Sequence, residues 1–460
     1  MTNQSKTRKA PPPIVFILMG LIIFGGTKLL KQNSQQVSNL LPSIAQPQLL
    51  KKSFSLGEHL LIMAKATDEK KEGINAFADQ DYQSAIASFQ ASLEQFPNDP
   101  ETLIYLNNAQ VATLNPVKIA VVAPISSDLN LAQEMLRGVA QAQNEFNSQG
   151  GKLQVEIVND ENEPKIAIEV ANQLVKDQSI LGLVGHYSSD ASLAAAPIYQ
   201  QNGLVAISPI STSTSLADAG DYIFRTVPSD FLAGNSLAEY FLGKLSKQKA
   251  AIFYNSESNY SKSLKDAFST SLLSNGGEIV AELDVIDPNF DADRAVQQAM
   301  NQGAEALVLL TNSTTLNQTF EIAKVNNRQL PLLGGDDLYI PETLESAGEN
   351  MVGMVLAVPW HIEGNTNPDF IQAANNLWKG KVNWRTAMAY DATQSLIPGI
   401  EDNPSRKGIQ QTLSQADFSI TGASGTVKFL PSGDRNQAVQ LVQVEVDSNS
   451  EFGYSFVPLD

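Results

Sequence analysis

An α/β fold of two lobes built on parallel sheets is predicted for the chain from Val117 onward, on three observations. Short apolar runs alternate with segments whose apolar residues recur at helical spacing, the pattern of parallel strands with helices on both faces. Nine such runs (Val117–Ala123, Leu153–Val158, Leu181–Val184, Leu204–Ile207, Ala250–Tyr254, Ile279–Val285, Ala306–Leu310, Pro331–Leu333 and Met354–Val358) exceed one comfortable sheet, so two lobes are expected. Two of the runs are followed by hydroxyl-rich turns, Gly185-His186-Tyr187-Ser188-Ser189-Asp190 and Ser208-Pro209-Ile210-Ser211-Thr212-Ser213. In an open α/β sheet, ligands bind in the crevice beyond the carboxyl ends of the strands. A helix start there offers free N–H groups and partial positive charge to an anion. The rival reading makes Ser189 and Thr212 plain helix N-caps.

Before Val117 the organisation differs. Lys6, Arg8 and Lys9 precede Pro11-Pro12-Pro13, and Ile14 to Leu30 is apolar apart from Thr27 and Lys28. This is close to the length of about 20 residues that a bilayer span takes. The basic flank puts the first residues in the cytoplasm, and Lys28 can snorkel to the interface. An uncleaved anchor (1–31) is the expectation; a cleaved signal peptide is the rival, disfavoured by Lys28-Leu29-Leu30-Lys31 as an exit. Residues 32–65 open polar and Gln/Ser-rich and read as a tether with one helix near Phe54–Lys65. Residues 66–112 read as helical. Gly73, Ala76, Tyr82, Ala85, Phe89 and Pro97 are spaced like one tetratricopeptide repeat, and Glu101–Val111 makes a further helix. One repeat cannot bury its own faces. It must pack on the main domain, a partner or a second copy. The lobes are expected to have their own cores, so that this segment is separable from ligand binding.

Composition removes several function classes. A net charge of −18 leaves no basic stripe for nucleic acid. Zero cysteines exclude disulfides, thiolate metal sites, cysteine catalysis and a lipid-modified cysteine. Three scattered histidines do not suit a metal centre. Neither a nucleophile–base pair nor a nucleotide-binding motif is present, so no enzyme activity, cofactor or metal is expected. Asp160-Glu161 with Glu163 lacks the EF-hand glycine and reads as a solvated loop.

A resemblance rests on an ordered series: Val117-Lys118-Ile119-Ala120-Val121, Asn147-Ser148-Gln149-Gly150-Gly151, Leu183-Val184-Gly185-His186, Ser208-Pro209, Phe224-Arg225-Thr226-Val227-Pro228-Ser229-Asp230, Tyr390-Asp391-Ala392, and Gly422-Ala423-Ser424-Gly425-Thr426-Val427-Lys428-Phe429 with Gly433-Asp434. Over 117–460 the chain resembles the branched-chain amino-acid-binding (Leu/Ile/Val-binding-like) family of ABC transporter receptors, the type I periplasmic binding proteins. That resemblance implies two Rossmann-like lobes joined by three hinge crossovers, near Asp230, His361 and Ile420. One lobe is 117–230 with 362–419; the other is 231–361 with 420–460. It also implies that Ser189, Ile210 and Thr212 hold an amino-acid carboxylate, that Tyr260 packs on the ligand, and that Asp336 takes the ammonium from the facing lobe. Several positions depart from the family pattern: the loop Pro124–Asp128 lacks a glycine and an aromatic, Ser313 stands where an aromatic is common, and Asp336 replaces glutamate. They leave the two ends of a zwitterion served and the side chain open.

Two functions follow. One is a membrane-tethered receptor for an amino acid or amide, in the periplasm at the inner (cytoplasmic) membrane, feeding an ABC permease. The other keeps the fold as a sensor or scaffold that docks a partner through the helical repeat, such as a regulator of a cell-envelope enzyme.

Overall fold

The computed structural model describes residues 52–364 and 367–459. The expected anchor, Ile14–Leu30, lies outside the described residues. Among the described residues, no helix is long and apolar enough to cross a membrane.

The first sheet has six strands, β1 (Phe54–Ser55), β2 (Val117–Ala123), β3 (Leu153–Asn159), β4 (Ile180–Val184), β5 (Val205–Ser208) and β6 (Ile223–Arg225), in the order β1-β3-β2-β4-β5-β6. All pair in parallel except β1, which lies antiparallel on β3. The second has seven: β7 (Lys249–Tyr254), β8 (Glu278–Asp284), β9 (Ala306–Leu310), β10 (Leu332–Gly334), β11 (Val355–Val358), β14 (Gln440–Val446) and β15 (Tyr454–Pro458), in the order β15-β14-β11-β10-β9-β7-β8. Its last two strands are antiparallel. A separate hairpin joins β12 (Ile420–Gly422) to β13 (Gly425–Val427). In both sheets the first strand of the parallel part lies between the next two, β3-β2-β4 and β8-β7-β9, so the chain switches side. Each sheet thus has a crevice at the carboxyl ends of its strands.

The helices follow from apolar spacing. Leu131, Met135, Val139 and Ala142 form the buried face of Leu129–Ser148. That face meets Trp384–Asp402 so closely that a Cβ on Gly138 would run into the Thr386 carbonyl. The contact brings the later helix back to the first lobe. The return to the second lobe comes later than Ile420. Asp391, buried in Trp384–Asp402, accepts hydrogen bonds from the Ala423 N–H (2.5 Å) and the Ser424 hydroxyl and pairs with Arg435 at 2.9 Å. Arg225 binds Asp434 at 2.7 Å, and its N–H donates to the Gly433 carbonyl. Residues 420–435 are therefore stapled to the first lobe, and the chain rejoins the second at β14.

The N-terminal segment corrects two expectations. Residues 54–65 form no helix; they contribute β1 and an extended strip whose Leu61 and Ile62 N–H groups donate to the Glu101 carboxylate. The helices Asp68–Ala78, Tyr82–Gln95 and Pro100–Val111 stand where the spacing placed them, with Gly73 against the Phe89 ring. They are not separable from the first lobe. Pro100–Val111 is buried along nearly its whole length, packed between the helical hairpin and the Leu129–Ser148 helix. Lys70 is buried and paired with Asp99 and Glu101, each at 2.7 Å. Asn108 acts as a one-residue strand on the edge of β3. Its amide nitrogen donates to the Leu56 and Val155 carbonyls, and its Oδ1 accepts from the Val155 N–H and Gln143.

Asn108→Ala would leave the Val155 N–H and carbonyl buried without partners. We expect a loss of about 2–4 kcal/mol, read as a lowered urea midpoint. Deleting 66–112 should yield an aggregating or unfolded chain instead of an intact receptor.

Candidate functional site

The facing strand ends of the two sheets enclose a small cavity of about 40 Å³. From the first lobe its wall includes Asn162, Tyr187, Ser188, Ser189, Asp190 and Ile210; from the second come Ser258, Tyr260, Asn312, Ser313, Asp336 and Asp337. Four of the five residues expected at the site, Ser189, Ile210, Tyr260 and Asp336, meet there. Thr212 is buried beside them, off the wall, with its hydroxyl unpartnered.

Each arrives by local rules. Ser188 is the N-cap of the helix Ser189–Asn202, its hydroxyl accepting from the Ala191 N–H. Capping thus falls to Ser188, and the Ser189 side chain turns to accept from the Ser213 N–H at 3.3 Å. Beneath this turn, His186 is held between Asp160 (2.6 Å) and the Tyr199 hydroxyl (2.8 Å) and is 1% exposed; it braces the turn. The Ile210 N–H makes only a long 3.4 Å bond to Ser208 Oγ. Across the cleft, Ser258 caps the helix Asn259–Ser274, which delivers Tyr260 in its first turn. The Tyr260 hydroxyl donates to Asp336 Oδ1 at 2.9 Å.

The electrostatics are lopsided. Asp336 sits 4% exposed and, among the described residues, belongs to no ion pair. Burial, then the charges of Asp337 and Asp230, push its carboxyl up to about 8, against the opposing pull of Arg385. Asp230, at the start of the helix Asp230–Glu239, has neither carboxylate oxygen in a well-formed hydrogen bond; burial raises it to about 6, against the opposing pull of the nearby Ser263 and Thr212 hydroxyls and of Arg225. Asp337 is served better. It accepts from the Tyr187 hydroxyl (3.2 Å), the Ser313 N–H (3.1 Å) and Arg385 Nη2 (3.4 Å).

Sequence reading missed Arg385, Asp337, Asp230 and Asn162. Arg385 is fully buried, its Nη1 donating to the Tyr339 carbonyl and its Nε unpartnered. It lies in the first turn of the helix Trp384–Asp402, whose composition is ordinary, and only the helix-on-helix contact aims it at the cleft. Asn162 Oδ1 is likewise buried without a partner on the cavity wall. Direct bonds close the cleft: Tyr187 and Arg385 to Asp337, Asn259 Nδ2 to Asp190 (2.7 Å), and the Thr214 N–H to Ser263 Oγ (2.9 Å).

This arrangement is an interlobe site with donors on one side and an unpaired acid on the other. Residues 116–451 match the model of a family described as periplasmic binding protein. The chain is similar to the Leu/Ile/Val-binding protein of Escherichia coli strain K12, 26% identical over 341 residues, 72% of this chain and 91% of that protein. Among solved structures it is similar to an ABC transporter substrate-binding protein from Desulfitobacterium hafniense in complex with Leu. That match has a TM-score of 0.64 at 24% identity and covers 75% of this chain and all of that one. It is also similar to a solute-binding protein of an ABC transporter from R. palustris in complex with benzoate, with a TM-score of 0.64 at 19% identity, over 75% of this chain and 96% of that one. Two lobes, a closed interlobe cavity and a match running through both sheets have one reading: the chain belongs to the periplasmic binding protein family.

Proposed function

We propose that the chain is a membrane-tethered receptor that binds a small polar amino acid, or a zwitterion of similar size, between its lobes for an ABC importer. Asp336 carries the reading. A buried carboxyl raised to about 8 is a group waiting for a cation, and the ligand's ammonium is that cation. Ser189, Thr212 and the Ile210 N–H hold the carboxylate, and Tyr260 packs on the ligand while orienting Asp336. The relatives that bind leucine or Leu/Ile/Val support the ligand class; the cavity argues for a smaller member of it. About 40 Å³ is room for a few water molecules, and its wall is polar, with Asn162 Oδ1 free to accept from a ligand hydroxyl or amide. Ile14–Leu30 is the tether to the inner membrane, with the lobes in the periplasm. The helical hairpin is a single tetratricopeptide-like repeat. Because its third helix is part of the first lobe, a partner of the alternative sensor reading meets only the hairpin's outer face.

The full chain, screened against amino acids and amides, should be stabilised by about 2.7 kcal/mol at 100 times the dissociation constant. Small polar amino acids should shift it more than leucine; no shift with any would favour the sensor reading. Asp336→Ala should weaken binding at least 30-fold, because truncating one partner of a buried charge pair costs about 2–5 kcal/mol. Ser189→Ala, losing one donor among several, should cost about 1–3 kcal/mol.

The pH dependence has a definite sign. A carboxyl raised in the folded state binds its proton more tightly there than in the unfolded chain. Its contribution to ligand-free stability is complete below about pH 4 and is lost as pH rises to about 8. Asp336→Asn should flatten that decline in urea midpoints. Ligand binding should release protons between these limits, seen as buffer-dependent heats in calorimetry. Heats independent of buffer would remove Asp336 from the ammonium site. Cell fractionation tests the tether: the chain should sediment with inner membranes and leave them only in detergent.

A further inference from the structure

Next to the cleft cavity, the fold buries a group of polar atoms and leaves them without partners. Both carboxylate oxygens of Asp230 and the Thr212 hydroxyl are in no well-formed hydrogen bond, although Asp230 is fully buried and Thr212 is 4% exposed. The Asp230 N–H donates to the Thr212 carbonyl at 2.8 Å, which holds the two residues together. They adjoin the cavity wall. Ile210, two residues before Thr212, lines it, and the Ser213 N–H donates to Ser189 Oγ at 3.3 Å. From the second lobe, the helix Asn259–Ser274 brings Tyr260 and Ser263 onto one face, one turn apart. The Tyr260 hydroxyl donates to Asp336 Oδ1 at 2.9 Å. Ser263 Oγ accepts from the Thr214 N–H at 2.9 Å and lies near the Asp230 carboxyl. Asp230 and Asp336 thus stand on either side of one helical turn, one from each lobe. Arg225 forms no ion pair with Asp230; its Nε donates to Asp434 at 2.7 Å and its Nη1 to the Ser213 carbonyl at 2.6 Å.

Buried polar groups are bonded as a rule, and each exception calls for a cause. An amino acid has more atoms than a hollow of about 40 Å³ takes. The binding site therefore extends past that wall, and the atoms without partners show the direction. A primary ammonium carries three N–H donors. Three acceptors stand at this corner: Asp336 Oδ2, an oxygen of Asp230 and the Thr212 hydroxyl, which can still donate to the ligand's carboxylate. One ammonium can serve two carboxylates, as Lys70 of this chain does for Asp99 and Glu101 at 2.7 Å each. Resting on the receptor reading above, we propose that Asp230 is a second ligand-binding acid: it shares the ligand's ammonium with Asp336, and the site takes primary amines and rejects N-alkylated ones. A secondary ammonium brings two N–H donors, so one of the three acceptors stays buried and unpaired, and its alkyl group is forced among carboxylates. Burial raises the carboxyls of both acids, and an ammonium placed between them removes the cost of ionising them.

The test uses the full chain with glycine, L-alanine, L-serine and their N-methyl counterparts as probes, read by thermal shift and titration calorimetry. The parent chain should bind the primary amines about ten-fold or more tighter than the N-methyl compounds. D230N keeps the side chain's shape and removes its charge. Because that carboxyl has no well-formed bond in the fold, the urea midpoint of D230N should equal or exceed the parent's above about pH 6. Its affinity for the primary amines should fall about ten-fold or more, and their advantage over the N-methyl compounds should shrink with it. D230S, a second and smaller replacement, should do the same. A residue that only positions others would lower the affinity for both kinds of amine alike, so an unchanged preference in D230N and D230S would overturn the proposal. Parent-like binding by either variant, or equal affinity of the parent chain for primary and N-methyl probes, would overturn it too and leave the receptor reading standing. A parent chain that answers to none of the probes would take down both.

Discussion

At the closed seam Asp230 and Asp336 are buried and Asp337 is half-buried, with the Arg385 guanidinium acting on Asp336 and Asp337 and that of Arg225 on Asp230. A buried carboxylate without a partner is costly, and the group takes up a proton to avoid it. Arg385 resolves the conflict for Asp337, assisted by Tyr187 and the Ser313 N–H. It does not resolve it for Asp336, whose side chain, among the described residues, is hydrogen-bonded by the Tyr260 hydroxyl alone. The closed arrangement is thus electrostatically incomplete at Asp336, and that incompleteness faces the cavity. A ligand that brings a positive charge there stabilises closure, and a ligand without one does not. On the proposed reading, selectivity for charge and the drive to close come from the same carboxyl.

The motif residues that carry the family resemblance work elsewhere. Asp391 ties its helix to the β12–β13 hairpin and to Arg435; Arg225 ties β6 to Gly433 and Asp434. These contacts hold the last crossover segment to the first lobe, so the flexible part of the third connection is confined to the few residues before Gln440. The recognisable sequence marks hinge-side staples more than ligand contacts. This explains why it identifies the fold readily and the ligand poorly.

Much of this was legible beforehand. Long apolar runs such as Val117–Ala123 and Ala306–Leu310 fall where expected, because strands buried on both faces need continuous apolar sequence. Four of the five expected site residues line one cavity because a strand–turn–helix unit fixes the direction of its first helical turn. What escaped is what local pattern does not encode. β6, β12 and β13 are three residues each, too short to show a period. β14 and β15 are half-exposed, alternate with polar residues, and exist only because β11 offers them an edge. β1 was read as helix because Phe54–Lys65 is judged alone, whereas its conformation is dictated by the open edge of β3 and by Glu101. Arg385 and Asp230 were invisible because their burial depends on lobe closure, a property of the whole chain.

The same logic bears on the N-terminal helices. Had the hairpin been a separate module, the path from residue 52 to the lobes would be a flexible link. Instead β1 and Asn108 weld residues 52–112 to the first lobe, and the Lys70–Asp99–Glu101 cluster ties the helices of that segment to one another. A buried ammonium with two carboxylates resists being broken, since removing one partner strands the others. Opening of the cleft must therefore swing the second lobe against the first lobe and residues 52–112 together.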